Sequence, residues 1–156
     1  MAKQSVVTVT EEHVKETKMP TIETQSETRA SSEVDILVSR AHQALKEFEG
    51  YTQEQIDVIV KAMAFAGVAK RLDLAKQAID ETGMGVFEDK VTKNLFSTEY
   101  IYNNIRNQKT VGIIAEDDKE GIVEIADPLG VIAGITPVTN PTSTTMFKSL
   151  VAIKTR

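Results

Sequence analysis

The residues best placed to do chemistry are Thr136-Pro137-Val138-Thr139-Asn140-Pro141. They follow the apolar run Leu129 to Ile135 and precede a helical pattern, so this turn lies at the carboxyl end of a strand and opens a helix, where open α/β sheets place ligands. Asn140 carries an amide that can donate to a developing oxyanion, and the free N–H groups of the next turn favour negative charge. The same residues also make an ordinary helix start, with Asn at the N-cap and Pro at the first helical position. Lys148 stands about two turns further along the same face. Its ammonium either reaches back to the turn or is solvated.

Other candidates carry less. Gly83-Met84-Gly85 follows a helix rather than a strand, so it fits a helix end and not a dinucleotide fingerprint. His13 and His42 have no second His or Cys at metal spacing, which argues against a histidine metal site or a Ser-His-Asp triad. Glu88, Asp89, Lys90 and Lys93 fit a solvated helix face, with Asp89 and Lys93 spaced as an i, i+4 pair. The 156 residues contain no cysteine, and therefore no thiol nucleophile, thiolate metal site or disulfide. Redox logic leaves the compartment open, and cytoplasm is the default.

Composition excludes further classes. The balance of 18 Lys+Arg against 23 Asp+Glu, with no basic cluster, argues against a nucleic-acid partner. The longest uncharged stretch, Pro128 to Phe147, is interrupted by Pro137 and Pro141 and is rich in Ser and Thr, so a membrane span is not expected.

Several elements must position the turn. Residues 1–33 hold ten Ser or Thr and ten charges, with no glycine or aromatic, and read as a disordered tail. Within it, Val7 to Thr10 alternates like a short strand and Glu11 to Lys18 like a weak helix. From Ser32, a plausible N-cap, Val34, Leu37, Val38, Ala41, Ala44, Leu45 and Phe48 follow the helical period up to Gly50. Thr52 with Gln55 gives a capping box for a second helix, to about Lys70. A third runs from about Leu72 to Glu81 and stops at Gly83; a fourth runs from Phe87 through Ile105. Beyond residue 107 the period shortens: Thr110 to Ala115 and Gly121 to Ala126 read as strands of a hairpin around Asp117, Asp118 and Lys119. The stretch Leu129 to Val138 is apolar on both faces, as in a buried parallel strand, and a last helix runs from Pro141 or Thr142 to about Ile153.

A parallel strand followed by a helix is half of a βαβ unit, and the sequence supplies no second parallel strand. The expectation is an α/β chain comprising amino-terminal helices, a β-hairpin and the first βα unit of a Rossmann-like domain, an amino-terminal fragment of a longer protein. The alternative is a complete small α+β domain in which the hairpin pairs with this strand.

Two strings carry a resemblance. Glu81-Thr-Gly-Met-Gly-Val-Phe-Glu-Asp-Lys-Val-Thr-Lys-Asn94 and Pro137-Val-Thr-Asn-Pro-Thr-Ser-Thr-Thr-Met-Phe-Lys-Ser149 resemble the amino-terminal half of the bifunctional aldehyde-alcohol dehydrogenases, as do Lys109 to Ile114 and Glu124 to Val131. The resemblance covers about Val34 to Arg156. It implies an aldehyde dehydrogenase-type fold, with 34–156 the start of that domain, 110–126 an oligomerisation hairpin giving homo-oligomers, and 129–156 the start of the cofactor-binding sheet. It implies an enzyme of ethanol fermentation that reduces an acyl-CoA, such as acetyl-CoA, to the aldehyde with NADH through a cysteine thioester. CoA would be co-substrate, and an iron-dependent alcohol dehydrogenase half would follow downstream. The superfamily's Pro-Trp-Asn segment matches Pro137 and Asn140, with Thr139 where Trp is usual. By that match Asn140 is the oxyanion donor, Lys148 supports it, and Thr136, Pro137, Val138 and Thr139 form part of the nicotinamide cofactor wall. No residue here replaces the family's nucleophilic cysteine, so these residues alone are expected to be inactive. A standalone acylating enzyme, or a truncated non-enzymatic product acting as an interaction module, are the competing expectations.

Overall fold

The computed structural model describes residues 23–156. These fall into two compact units divided between Ile36 and Leu37, and the turn at Asn140 lies in the second. The expected tail is outside the described residues up to residue 22, as are the strand-like Val7 to Thr10 and the helix-like Glu11 to Lys18.

Helix α1 spans Glu23–Phe48, so it begins well before Ser32. No glycine or proline lies between Pro20 and Gly50, and nothing in that interval breaks a helix once it propagates. Its apolar stripe is only partly used: Leu37 and Val38 are exposed, whereas Leu45 and Phe48 are half-buried at the carboxyl end.

Helix α2 (Gln53–Ala69) starts on the capping box that the sequence spells out. Thr52 Oγ1 accepts from Gln55 N–H at 3.3 Å, and Gln55 Oε1 accepts from Thr52 N–H at 2.9 Å. The exposed Glu54 carboxyl is held below its ordinary value by its own backbone N–H and then by the Thr52 hydroxyl. Helix α3 (Arg71–Thr82) ends as expected on Gly83, whose φ of 65° is left-handed and suits glycine. Helix α4 (Phe87–Leu95) runs directly into a π-helical turn, Phe96–Tyr100, and then α5 (Ile101–Ile105). A single regular helix was expected here. Ser97 and Thr98 donate their hydroxyls to the Asn94 carbonyl at 3.1 and 2.7 Å, competing with the backbone ladder just where it widens.

The hairpin forms, antiparallel, from β1 (Gly112–Asp117) and β2 (Ile122–Ala126). Its first strand starts two residues later than the pattern suggested, because Thr110 is tied elsewhere. Its N–H donates to Gln53 Oε1 at 2.7 Å and its hydroxyl to the Lys154 carbonyl at 2.6 Å. The register pairs Ile113 with Ile125 and Ala115 with Glu124, leaving a bulge at Ile114. Asp117 closes the turn by accepting from Lys119 and Glu120 N–H groups.

The stretch Leu129 to Val138 was expected as a buried parallel strand, and here the structure differs. It joins no ladder, and Ile135 is 84% exposed. A parallel strand needs a neighbour to satisfy its N–H and C=O groups, and the described residues contain none beside it. The following helix, α6 (Pro141–Thr155), is as expected and slightly longer.

The core is helical. Ile56, Val60 and Ala64, four residues apart on one stripe of α2, meet Leu150 of α6 and Ile105 of α5, with Phe48, Met63 and Ile153 packed around them. The π-helical turn and α6 crowd α2 at Gly67, where an added Cβ would lie 2.5 Å from Thr98 Cγ2 and 3.1 Å from Met146 Sδ. Thr98 is buried, β-branched and hydrogen-bonded, so it cannot turn aside. Gly67→Ala should therefore destabilise the chain by about 2 kcal/mol through overpacking, read from urea unfolding. A wild-type midpoint would mean that the π-helical turn yields freely.

Candidate active site

The turn before α6 is held from two sides. Asn140 N–H donates to the Pro137 carbonyl at 3.2 Å, and Thr144 N–H donates back to the Asn140 carbonyl at 3.3 Å, so Asn140 is the residue that begins the helix. Its side chain makes no capping hydrogen bond. Thus it stands at the N-cap but leaves the usual Asn task undone.

Helix α4 reaches across to this turn. Lys90, 5% exposed, donates Nζ to the Thr139 carbonyl at 3.0 Å. One turn later Lys93 donates Nζ to Asn140 Oδ1 at 3.2 Å. The Asp89 and Lys93 pair suggested by spacing does not form, because the Lys93 ammonium is turned to Asn140 instead. Behind the lysines, Asn94 is buried and fully engaged. Its Nδ2 donates to the Arg71 carbonyl at 3.0 Å, and its Oδ1 accepts from Thr142 Oγ1 at 2.8 Å. This ties the first turn of α6 to both α3 and α4.

Lys148 does reach back, as its spacing allows, but to the segment entering the turn. Its Nζ donates to the Ile135 carbonyl at 2.6 Å, and its stem passes Gly134. Thr136 Oγ1 lies 3.5 Å from Thr145 Oγ1, joining the entering segment to α6. Thr136, Pro137, Val138 and Thr139 are exposed along this segment. Lys90 and Lys93 escaped the sequence reading because their partners are more than 45 residues away. Only their shared face on α4 hinted at a common task.

Asn140 lines a groove of about 530 Å³ between α4, the π-helical turn and α6, together with Lys93, Phe96, Ser143, Thr144 and Phe147. The widened turn sets Phe96 at its edge. A side-chain amide on the wall of a largely apolar groove is suited to meeting an oxygen that gains charge.

The profile of the aldehyde dehydrogenase family matches residues 4–155. The chain belongs to the aldehyde dehydrogenase family. It is 51% identical over 125 residues to the bifunctional aldehyde-alcohol dehydrogenase of Escherichia coli (strain K12), covering 80% of this chain and 14% of that one. Among solved structures, a probable aldehyde dehydrogenase from Listeria monocytogenes EGD-e superposes with a TM-score of 0.80 at 48% identity, over 82% of this chain and 28% of that one. An acetylating aldehyde dehydrogenase from Geobacillus thermoglucosidasius superposes with a TM-score of 0.79 at 45% identity, over 88% and 29%. The chain therefore spans less than a third of the length of these relatives. The expected fold class holds: these residues adopt part of an aldehyde dehydrogenase-type α/β fold.

Membership of this family implies a nicotinamide-type cofactor in general. Residues 136–139 are exposed, with Val138 and Thr139 in the turn that leads into α6. Among the described residues no helix is long and apolar enough to cross a membrane.

Proposed function

We propose that these residues form the amino-terminal part of a CoA-acylating aldehyde dehydrogenase, in which Asn140 donates its side-chain amide to the oxyanion of the tetrahedral intermediate. The overall reaction takes an acyl-CoA, such as acetyl-CoA, with NADH and a proton to the aldehyde, free CoA and NAD⁺. A cysteine elsewhere on the polypeptide attacks the thioester carbonyl, CoA leaves as the thiol, and an enzyme thioester remains. NADH, when bound, supplies the hydride. Within this stretch, Asn140 stabilises charge on the carbonyl oxygen, the residues 136–139 wall the cofactor, Lys148 braces the entering segment through the Ile135 carbonyl, and Phe96 and Phe147 keep the groove apolar.

The observation that carries this reading is that Asn140 lines the groove with its amide free of the capping role. The likeness to an aldehyde-alcohol dehydrogenase and to an acetylating aldehyde dehydrogenase supports the CoA-linked chemistry. The test is acetyl-CoA-dependent NADH oxidation by the native full-length polypeptide, with CoA release measured in parallel. CoA release should accompany NADH oxidation, with one NADH used per CoA if the aldehyde accumulates and up to two if a downstream half reduces it to the alcohol; NADH oxidation without CoA release would defeat the acylating reading.

A downstream iron-dependent alcohol dehydrogenase half is the favoured arrangement, given the likeness to the bifunctional Escherichia coli protein. The standalone acylating enzyme remains a second reading because of the likeness to the Geobacillus acetylating enzyme. Adding ethanol and NAD⁺ separates them, since only the bifunctional enzyme would produce NADH from the alcohol.

We also assign the hairpin to homo-oligomer formation. Its described faces are exposed, with Ile122 54% and Ile125 66% accessible, and among the described residues its strands pair only with each other. Replacing Ile122 and Glu124 by proline removes two N–H donors and should shift the full-length protein to smaller species in sedimentation velocity. An unchanged profile would reject the assignment.

A further inference from the structure

We infer that Lys93 is a positioning residue for Asn140, an inference that rests on the oxyanion reading above. A lysine ammonium carries three donors and no acceptor, so at 3.2 Å from the Asn140 amide it can meet only Oδ1. That contact fixes which way the amide faces. Oδ1 is turned to α4, and the two Nδ2 hydrogens are left for an acceptor in the groove that both residues line. Without the ammonium the amide can flip and present its oxygen to the carbonyl of the substrate, which would repel rather than stabilise developing negative charge. A cation on Oδ1 also draws electron density from the amide and makes Nδ2–H a stronger donor.

The backbone is prepared for this contact. Lys90, one turn earlier on the same face of α4, holds the Thr139 carbonyl. Asn94, one residue beyond Lys93, is bonded to Thr142. Three side chains of α4 thus grip three positions of the turn, 139, 140 and 142, and Lys93 takes the only one whose side chain faces the groove as an amide. Lys93 itself is exposed, so its replacement should not disturb folding.

The test compares Lys93→Met, Lys93→Arg, Asn140→Ala and the Lys93→Met, Asn140→Ala double variant in the full-length enzyme, with kcat and KM for acetyl-CoA measured for each. Lys93→Met should lower kcat about tenfold with KM unchanged, the scale of one charge-assisted hydrogen bond. Lys93→Arg should recover most of that loss, and Lys93→Met should cost nothing further once Asn140 is gone. A full kcat in Lys93→Met alongside a damaged Asn140→Ala would overturn the inference and leave the oxyanion reading standing, as would additive losses in the double variant. Wild-type kcat in Asn140→Ala would overturn both.

Discussion

Asn140→Ala in the full-length enzyme should lower kcat by roughly two to three orders of magnitude, while the unfolding temperature stays within a few degrees of wild type. The first figure is the loss measured when one oxyanion donor is removed, about 2.7–4 kcal/mol of transition-state stabilisation. The second follows from a detail of the turn. An Asn that caps its helix through the side chain is worth about 1 kcal/mol to stability, but here the side chain makes no such bond and bonds Lys93 instead. Truncation therefore removes a donor from the groove and leaves the helix start, built on Pro141 and the Asn140 carbonyl, as it was. KM for acetyl-CoA should change little, because the oxyanion exists only after attack. Wild-type turnover with lowered stability would return Asn140 to the structural role that its position before proline also suggests.

The second large effect concerns stability and lies at the other end of α6. Lys154 is 2% exposed, and its Nζ meets Asp57 Oδ1 at 2.5 Å and the Arg106 carbonyl at 3.5 Å. Its partner is not equally enclosed, for the Asp57 side chain is 40% exposed and also accepts from Gln53 Nε2 at 2.9 Å. The pair is therefore asymmetric. Asp57→Ala strands an ammonium inside the fold and should cost about 3 kcal/mol, the lower end for breaking a buried pair. Lys154→Met removes the buried charge, keeps its volume, and leaves a carboxylate that water and Gln53 can still serve, so it should cost about 1 kcal/mol. Urea unfolding of both variants measures the difference. Equal losses, or a loss below about 1 kcal/mol for Asp57→Ala, would show that Lys154 finds water or another acceptor. Because Gln53 and Lys154 also hold Thr110, the damaged variant should loosen the entry to the hairpin as well.

What could be read from the sequence was what neighbours in the chain decide. Thr52 with Gln55, Gly83 and Asp117 each act on backbone groups within four residues, and each does in the structure what its type and spacing indicate. Ile56 and Val60 likewise stand four apart in the chain, a spacing that puts both on the face of α2 that forms the core. The start of α1 was missed because the Ser32 cap signal is local, whereas the unbroken run of helix-tolerant residues before it lets the helix extend to Glu23. The π-helical turn arises from hydroxyls at Ser97 and Thr98 competing for the Asn94 carbonyl, a contest that an apolar period does not register. Leu129 to Val138 has the composition of a sheet interior, and composition cannot supply the adjacent strands that would make it one. At the candidate site, Asn140 and Lys148 were visible as residues flanking a turn. Lys90 and Lys93 were not, because tertiary contacts carry them from a solvated-looking helix face onto Thr139 and Asn140.

The central claim is that this stretch contributes an oxyanion donor to a longer enzyme whose cysteine lies elsewhere on the same polypeptide. The most direct test is the intact mass of the native protein, captured from its own cells with an antibody raised against residues 34–107. The account predicts a mass several times 17.2 kDa. A mass near 17.2 kDa would contradict it, leaving a chain with the family's fold elements, an amide in a groove, and no nucleophile to use it.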